Sequence, residues 1–253
     1  MMDIGFDFQI PDLRQARRLL CVQPHYDDND LAAGGTLASL AAAGAEIYYL
    51  TVTNDLVGVI DPALSDEQAA ASLKDDQQRA AALIGVRQQF WLGYPDAGRY
   101  DYYEMRNQLI RYIRLLRPDF LVTCDPWLPY EAHRDHVQTG LAVAEASFLQ
   151  GMLRLRTDAE VDRGYAPYDI QGVAFYLSHS PNTTIDISPF WERKLRAARC
   201  YRAQFTLEDS ERMVAVLETY ARLTGSAEGY AYAESFKVLS PAYLHANPFA
   251  GKI

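Results

Sequence analysis

The sequence of 253 residues predicts an α/β fold: a Rossmann-like, doubly wound, mostly parallel sheet with helices on both faces. Three observations support this fold class. Apolar, β-branched runs alternate with segments of helical periodicity as far as residue 150. Polar corners follow several of these runs and open the next helix, as at the carboxyl edge of a parallel sheet. No internal repeat or shift in composition marks a domain boundary.

The first 150 residues contain four strand–helix pairs. Runs rich in β-branched and aromatic residues predict strands at 17–22, 47–53, 86–92 and 120–124. The segments between and after them predict helices at 29–43, 65–84, 101–116 and 133–150. The helix boundaries have recognisable signals, namely a capping box at Ser65 and Gln68 and stops at Gly44, Gly85 and Pro118. Gly34 and Gly35 lie inside the first helix at a cost of about 1 kcal/mol each, so we expect a close approach of another backbone or a ligand there.

The remainder of the chain is less regular. Residues 151–170 are polar, and they form either an insertion or a lid. The segments beyond them predict strands at 172–178, 183–187 and 230–239 and helices at 189–202 and 207–223. We predict a single α/β domain over 1–253, with the core motifs in 18–150 and a C-terminal extension, 151–253, that completes the site.

Composition and charge limit the classes of binding partner and the cellular compartments that fit this protein. A net charge of -9 and a pI of about 5.0 argue against nucleic acid and anionic membrane surfaces as main partners. The three cysteines are far apart and form no CxxC pair, which indicates reduced thiols in a reducing compartment. No signal peptide is recognisable, and no run approaches the roughly 18 apolar residues of a spanning helix. We expect a cytoplasmic protein that binds neither nucleic acid nor membrane; a homo-oligomer is left open.

Residues 23–30, Gln-Pro-His-Tyr-Asp-Asp-Asn-Asp, form the first polar corner. Its cluster of carboxylates is unfavourable unless a cation, a proton or a base role offsets the charge. His25 and Asp28 are three residues apart at a helix entry and can converge on one metal ion. Asp27 can then face water at that ion and take its proton. The alternative is a cluster of acids at a helix N-terminus, where the helix dipole favours negative charge.

The second corner opens the fourth helix with His133 and His136 on one helical face. Strands one and four are expected to be adjacent where the strand order reverses, so that both corners line one crevice. His136 then joins His25 and Asp28 as a third ligand, the number typical of catalytic zinc sites. His133 stays free to stabilise an oxyanion or protonate a leaving group, and Asp135 can orient a histidine. The alternative is that His133 and His136 only form the solvent-exposed start of a helix.

These motifs resemble those of a known family. Pro24-His25-Tyr26-Asp27-Asp28, followed by Gly34-Gly35-Thr36-Leu37, resembles the PHPDD…GGT opening of the LmbE-like, or PIG-L, N-deacetylases. His133-Arg134-Asp135-His136 resembles the HPDH motif of that family, and Thr51-Val52-Thr53-Asn54 its second-strand ending. Later stretches with the same resemblance are Asp186-Ile187-Ser188, Lys194-Leu195-Arg196-Ala197, Gln204 and Ala233-Glu234-Ser235-Phe236. The resemblance covers nearly the whole chain in order.

The resemblance implies a zinc-dependent hydrolase that removes an acetyl group from an N-acetylglucosamine-type amine. The zinc ligands that it implies are His25, Asp28 and His136. It makes Asp27 the general base and has His133 stabilise or protonate the tetrahedral intermediate, with Asp135 tuning His133. His/Asp/His also suits other divalent ions, so the metal identity is open.

Several residues depart from the family pattern. Tyr26 and Arg134 replace the prolines of the two motifs, and Asn29 replaces a frequent glutamate, but none of these changes removes a proposed ligand. The second helix carries Leu73-Lys74-Asp75-Asp76 where the family often has an arginine and a glutamate that face the substrate. Whether this chain recognises its sugar in the way common to the family is therefore left open.

Three residues are candidates for substrate binding. Asn54 and Asp96 follow the second and third strands, at the sheet edge where the site is expected. Arg134 would add a cation at the mouth of the site, suited to an anionic substituent. The alternative for Asn54 and its neighbour Asp55 is a structural role in a turn. The alternative for Arg134 is a solvent-exposed position at the start of a helix.

The leading hypothesis is therefore hydrolysis of an N-acetyl group on a small amino-sugar substrate by metal-activated water. A second hypothesis is a zinc amidase that cleaves a larger acyl group or a thiol-sugar conjugate. A third is a metal- or sugar-binding protein without catalysis. A nucleotide-binding module is disfavoured because no GxGxxG follows the first strand.

Overall fold

Seven strands of the computed structural model, which describes residues 9–253, form one sheet. The strands are β1 (Arg18–Gln23), β2 (Glu46–Thr53), β3 (Gln88–Tyr94), β4 (Phe120–Cys124), β5 (Gly172–Tyr176), β6 (Thr183–Asp186) and β7 (Ala233–Leu239). Their order across the sheet is β3-β2-β1-β4-β5-β7-β6. Strands β1 to β5 pair in parallel, and β7 pairs antiparallel with both β5 and β6. The expected absence of a signal peptide falls on residues 1–8, outside the described residues.

Helices cover both faces of this sheet. They are α1 (Asp28–Ala42), α2 (Asp66–Ile84), α3 (Tyr102–Leu116), α4 (Arg134–Leu149), α5 (Ala159–Arg163), α6 (Trp191–Ala198) and α7 (Leu207–Ser226). One core cluster joins the sheet to α1, α2, α6 and α7, and a second joins the opposite face to α3 and α4. This arrangement confirms the predicted doubly wound α/β fold. In the described part of the chain, no helix is both long and apolar enough to cross a membrane.

Strand β1 lies at the reversal of strand order, because it pairs with β2 on one side and β4 on the other. Leu19 is in register with Phe120, and Cys21 with Val122. All four residues are fully buried or nearly so. The predicted adjacency of the first and fourth strands is therefore confirmed, and the loops after β1 and β4 meet at the same edge of the sheet.

Helix α1 is crossed closely by the C-terminal part of the chain at Gly35. A Cβ atom at this position would lie 2.7 Å from Cβ of Ile187. The backbone N–H groups of Gly35 and Thr36 donate to the carboxylate of Glu234, at 3.0 and 2.8 Å. Glu234 also forms a buried ion pair with Lys194, at 2.6 Å. A close approach thus occurs at Gly35, but side chains make it and not the backbone or ligand that was expected, and a Cβ at Gly34 would make only ordinary contacts.

Residues 151–170 contain α5 and pack against the end of α3 through one buried arginine. Arg114 donates to the backbone carbonyls of Gln150, Met152 and Leu155 and pairs with Asp162 at 2.5 Å. The end of α3 lies beside the start of β1, since Arg18 donates to the carbonyl of Leu116. The segment is therefore packed at the amino edge of the sheet, which fits an insertion and places it away from the two polar corners.

The later elements differ in detail from their predicted bounds. The helix predicted at 189–202 is a 3₁₀ turn at Ser188–Phe190 followed by α6, and Pro189 lies in the first turn of the 3₁₀ segment. Helix α7 continues to Ser226, after which the N–H of Tyr230 donates to the carbonyl of Gly225. This closure of the helix end explains why the last strand begins at Ala233 rather than at Tyr230.

Candidate metal centre

The first polar corner is held to the neighbouring strand by backbone contacts. The carbonyl of Pro24 accepts hydrogen bonds from the backbone N–H and the hydroxyl of Thr53, at 3.0 and 2.8 Å. The N–H of His25 donates to Oδ2 of Asp28, at 2.9 Å. This bond turns the carboxylate of Asp28 back toward the imidazole of His25, although Asp28 already belongs to the first turn of α1.

The three predicted ligands converge. Nδ1 of His25 lies 3.3 Å from Oδ2 of Asp28, and Nε2 of His136 lies 3.4 Å from Oδ1 of the same carboxylate. One ligand atom from each residue falls within 4.8 Å of the others, so the group could hold a metal ion. Two imidazole nitrogens and one carboxylate oxygen suit zinc, which in catalytic sites takes three protein ligands and leaves a position open. The donor set therefore fits the cation that the motifs predict.

The second ring nitrogen of each ligand histidine faces a carboxylate. Nε2 of His25 lies 3.3 Å from Oδ1 of Asp96 and 3.8 Å from Oδ2 of Asp135. Nδ1 of His136 lies 3.2 Å from Oε2 of Glu131. Metal-bound histidines commonly present their other nitrogen to a carboxylate, which fixes the tautomer and the orientation of the ring. Glu131 was not identified from the sequence, because its position in an irregular loop carries no periodic signal.

The charges of this cluster favour a cation. Burial opposes the imidazolium, but the nearby carboxylates of Asp135 and Asp28 raise the pKa of His25 to about 11. Burial also opposes ionisation of Asp28, yet the hydrogen bond with His25 and the charges of His136 and His25 lower its pKa. Nε2 of His25 and Oδ1 of Asp96 are buried without a hydrogen-bond partner among the described residues. The carboxylates thus stabilise positive charge at His25, which a bound metal ion also provides.

Asp27 is buried and does not cap the helix. It occupies the N-cap position of α1, but its side chain makes no capping hydrogen bond. Burial, and then the charges of Asp28 and Asp55, raise its pKa well above the usual value. The alternative of a structural N-cap cluster is therefore not supported at Asp27, and its carboxylate faces the cavity described below.

His133 is the N-cap of α4 and keeps one nitrogen free. Its Nδ1 accepts a hydrogen bond from the backbone N–H of Asp135, at 3.3 Å. A neutral imidazole that accepts at Nδ1 carries its proton on Nε2, which can then donate. The ring packs edge-on against His25, with centroids 4.5 Å apart, and its side chain is 42% exposed. His133 therefore offers a hydrogen-bond donor at the entrance of the metal centre.

Asp135 is buried and already has several partners. Its carboxylate accepts hydrogen bonds from the N–H of Ala97, at 2.8 Å, and from the hydroxyl of Tyr100, at 2.9 Å. Although burial opposes ionisation, these bonds and the contact with His25 lower its pKa to about 2. Its Oδ2 is 4.0 Å from Nδ1 of His133, slightly farther than from His25. The predicted tuning of His133 by Asp135 stays a prediction.

The three candidate substrate residues lie in different surroundings. Asn54 accepts hydrogen bonds from the N–H groups of Leu56 and Asp96, so it connects the loops that follow β2 and β3. Asp96 accepts from the N–H of Val57 and also lines the cavity beside the ligands. Arg134 is the first residue of α4 and is exposed. Their roles in substrate binding stay predictions.

A cavity of about 320 Å³ lies next to the predicted ligands His25 and Asp28. It is lined by His25, Asp27, Asp28, Asp55, Val57, Gly58, Asp96, His133 and Gln204. Asp55 has a left-handed backbone, with φ of 56°, and accepts hydrogen bonds from the N–H of Tyr26 and from Nε2 of Gln204, at 3.0 and 2.9 Å. Gln204 comes from the C-terminal part of the chain. A larger cavity of about 770 Å³, lined by Trp127 and Lys237 among others, contains none of the predicted ligands.

Comparisons with known proteins agree with this geometry. The family model for PIG-L, GlcNAc-PI de-N-acetylase, matches residues 20–147. The diacetylchitobiose deacetylase of Thermococcus kodakarensis is 34% identical over 245 residues, which cover 96% of this chain and 91% of that protein. A 1D-myo-inositol 2-acetamido-2-deoxy-alpha-D-glucopyranoside deacetylase of Actinosynnema mirum is 28% identical over 231 residues, covering 75% of this chain and 81% of that protein.

A solved structure extends the similarity to the whole fold. The N,N'-diacetylchitobiose deacetylase of Pyrococcus horikoshii, complexed with its inhibitor MPG, superposes with a TM-score of 0.89 at 34% identity. The match covers 98% of this chain and 92% of that one. The metal-site motifs, the family match and the shared fold lead to one conclusion: the chain belongs to the PIG-L family of de-N-acetylases.

Proposed function

We propose that this protein hydrolyses the N-acetyl group of an N-acetylglucosamine-type amino sugar or its conjugate. The observation that carries the proposal is the convergence of three metal ligands beside a buried, uncapped carboxylate, Asp27, at the base of one cavity. The relatives described above act on diacetylchitobiose and on an acetamido sugar linked to inositol, as their names state. The amide carbonyl of such a substrate would face the metal ion that these ligands hold. Its sugar hydroxyls would face the cavity wall.

The cofactor that we propose is zinc, held by His25, Asp28 and His136. When bound, such an ion acts as a Lewis acid toward the amide carbonyl and lowers the pKa of water. Asp96 and Asp135 would orient His25 from behind, and Glu131 would orient His136. These three carboxylates keep both rings in place for a cation, whichever divalent ion is present.

Asp27 is proposed as the general base. Its carboxylate has no capping bond to give up, and it lies next to a ligand on the wall of the cavity. It would accept a proton from the attacking water as the oxygen bonds to the acetyl carbon. The same proton would then pass to the nitrogen of the sugar as the C–N bond breaks. The second proton of the water stays on the acetic acid as it forms and then passes to the amine, so acetate and the protonated amine are the products and the proton count balances.

His133 is proposed to stabilise the negative charge that develops on the carbonyl oxygen. The hydrogen bond that Nδ1 accepts from Asp135 leaves a donor at Nε2. A preorganised donor of this kind is worth most where water is partly excluded. His133 would therefore serve as the electrophilic partner, with Asp135 holding it through the start of α4.

The remaining contacts concern the sugar and the chain as a whole. Asp96 is proposed to reach a sugar hydroxyl, with Asn54 ordering its loop, and Arg134 to attract an anionic substituent at the mouth. We propose that the chain works as a single domain, because Gln204 of the C-terminal extension completes the cavity wall. The three cysteines are free, which supports the proposed cytoplasmic location. A homo-oligomer stays a prediction.

Acetate release tests the proposal. The purified protein is incubated with N-acetylglucosamine, diacetylchitobiose, an N-acetylglucosaminyl inositol and matched amides with longer acyl chains, each with and without chelator. We expect acetate and free amine in equal amounts, loss of activity with chelator and recovery on adding zinc. Faster cleavage of the longer acyl groups would favour the amidase hypothesis instead. Tight sugar binding by zinc-replete protein without release of acetate would favour a non-catalytic binding protein.

A further inference from the structure

We propose that two buried glutamines, Gln23 and Gln77, are positioning residues that hold the metal ligand His25 and the base Asp27 in place by clamping the Tyr26 backbone between them. This inference rests on the proposed function for the roles of His25 and Asp27. Gln23 ends β1, and Gln77 lies in the middle of α2. Neither residue lines the cavity. Both side chains are fully buried, at 0% exposure.

The two amides make the same pair of hydrogen bonds. Nε2 of Gln23 donates to the carbonyl of Tyr26 and to Oγ1 of Thr51, both at 3.1 Å. Nε2 of Gln77 donates to the same carbonyl and the same hydroxyl, both at 2.9 Å. Each amide thus uses both of its N–H groups to tie the Tyr26 carbonyl to strand β2. We call Gln23 and Gln77, with their shared acceptors on Tyr26 and Thr51, the glutamine clamp.

The orientation of both amides is fixed by groups that can only donate. Oε1 of Gln23 accepts from the backbone N–H of Asn29, at 2.8 Å. Oε1 of Gln77 accepts from the indole N–H of Trp91, at 2.7 Å. A flipped amide would present its N–H groups to these donors and its oxygen to the Tyr26 carbonyl, so neither glutamine can rotate without losing both of those hydrogen bonds. The clamp therefore has one stable arrangement.

The clamped backbone joins the two functional side chains. The Tyr26 carbonyl belongs to the peptide group that leads into Asp27, and the Tyr26 nitrogen belongs to the one that follows His25. The N–H of Tyr26 donates to Asp55, at 3.0 Å, so both peptide groups are held. The hydroxyl of Tyr201 lies 3.0 Å from the same carbonyl, but it donates to the closer carboxylate of Asp30. With both peptide planes fixed, the directions in which His25 and Asp27 leave the backbone are fixed as well.

The Tyr26 N–H contact depends on a residue that departs from the motif that this corner resembles. The PHPDD motif that the corner resembles has proline where this chain has Tyr26, and proline has no N–H to donate. The bond from Tyr26 to Asp55 therefore adds a restraint that a proline at this position cannot provide. It complements the glutamine clamp, which acts on the carbonyl side of the same residue.

The test compares Gln77→Met with Gln150→Met. Methionine keeps the volume of the side chain and removes its hydrogen bonds. Gln150 is a matched control, because it is buried and its Nε2 donates to the carbonyl of Tyr168, at 2.9 Å. It lies 14 residues after His136, roughly 21 Å along the axis of α4 from that proposed ligand. The measurements are the zinc dissociation constant by chelator competition, the absorption spectrum of the cobalt-substituted protein, and kcat and KM.

We expect Gln77→Met to raise the zinc dissociation constant and lower kcat, each by about 10- to 100-fold, with KM within a factor of three. Its cobalt spectrum should differ from that of the unmodified protein. Gln150→Met should leave all four measurements unchanged at a temperature where both variants are folded. Equal values for the two variants would overturn the proposal.

Two of these measurements do not depend on turnover. The zinc constant and the cobalt spectrum can be compared even if no acetylated sugar is hydrolysed, so a failure of the proposed function is distinguishable from a failure of the clamp. Should Gln77→Met not fold, Gln23→Met, which removes the other pair of clamp hydrogen bonds, is compared with Gln150→Met in the same measurements. We then expect a zinc affinity about 10- to 100-fold weaker for Gln23→Met alone, and identical affinities would contradict the clamp.

Discussion

Oε2 of Glu131 lies 3.2 Å from Nδ1 of His136, while Nε2 of the same ring faces the ligand carboxylate of Asp28. The backbone N–H of His133 donates to the other oxygen of Glu131, at 2.7 Å. One loop carboxylate thus connects the orientation of a proposed metal ligand with the backbone of the residue that caps α4. This relationship predicts that Glu131 is a sensitive position for metal binding, although it is not itself a proposed ligand.

Glu131→Gln is expected to weaken zinc binding by about 10- to 100-fold, because the neutral amide loses the charge that strengthens His136 as a ligand. Chelator competition measures the affinity. Glu145→Gln is the control on α4, since Glu145 accepts hydrogen bonds from Tyr102 and Arg106 on the helix surface. Equal zinc affinities for the two variants would show that Glu131 does not orient the ligand.

Asp27→Asn is expected to retain zinc and to lower kcat by about 10²- to 10⁴-fold, the range for loss of a general base. Metal content is read by elemental analysis and kcat by acetate release. Asp28→Asn provides the contrast, because loss of the ligand carboxylate should remove the metal as well. Full turnover by Asp27→Asn would exclude Asp27 as the base.

His133→Asn is expected to lower kcat by about 10²- to 10³-fold without loss of zinc, since it removes one donor to the developing oxyanion. Asparagine is itself a favourable N-cap, so the start of α4 should stay intact. Thermal unfolding followed by circular dichroism checks that point. A variant that loses zinc together with activity would instead place His133 among the ligands.

Gly35→Ala and Gly34→Ala test the contact between α1 and the C-terminal part of the chain. A Cβ at Gly35 would clash with Ile187, at 2.7 Å, and overpacking of this kind costs about 1–3 kcal/mol. A Cβ at Gly34 would meet Ile84 and Lys194 at 3.5 Å, an ordinary contact, and helix propensity favours alanine by about 1 kcal/mol. Urea unfolding should therefore show destabilisation for Gly35→Ala only, and equal unfolding free energies would refute this account.

The sequence was sufficient to predict that the three proposed metal ligands meet, because their placement follows from topology. His25 and Asp28 follow one strand, and His136 opens the helix after another. In a doubly wound sheet the carboxyl ends of such strands meet, so residue type and strand order predict this convergence without knowledge of loop shape. The helix signals at Ser65 and Gly85 were equally local, and the structure contains both the capping box and the left-handed glycine.

The supporting residues could not be predicted in this way. Glu131 reaches His136 through a loop in which Tyr130 has a left-handed backbone, with φ of 67°, and no pattern in the sequence specifies that turn. Gln77 lies on an amphipathic helix and looks like an ordinary polar residue until packing buries it against Tyr26. Such positions depend on contacts between distant segments, which periodicity does not encode.

The origin of Gln204 has a consequence for how this enzyme can diversify. The three proposed metal ligands lie before residue 137, whereas Gln204 follows α6, more than 60 residues later in the chain. Gln204 donates to Asp55 and not to a proposed ligand, so a change at this position alters the cavity wall while the proposed ligands stay in place. Asn54, Asp96 and Arg134 belong to the same stretch as the ligands. One part of the cavity wall is thus encoded apart from the metal motifs, which lets the shape of the cavity vary while those motifs are inherited unchanged.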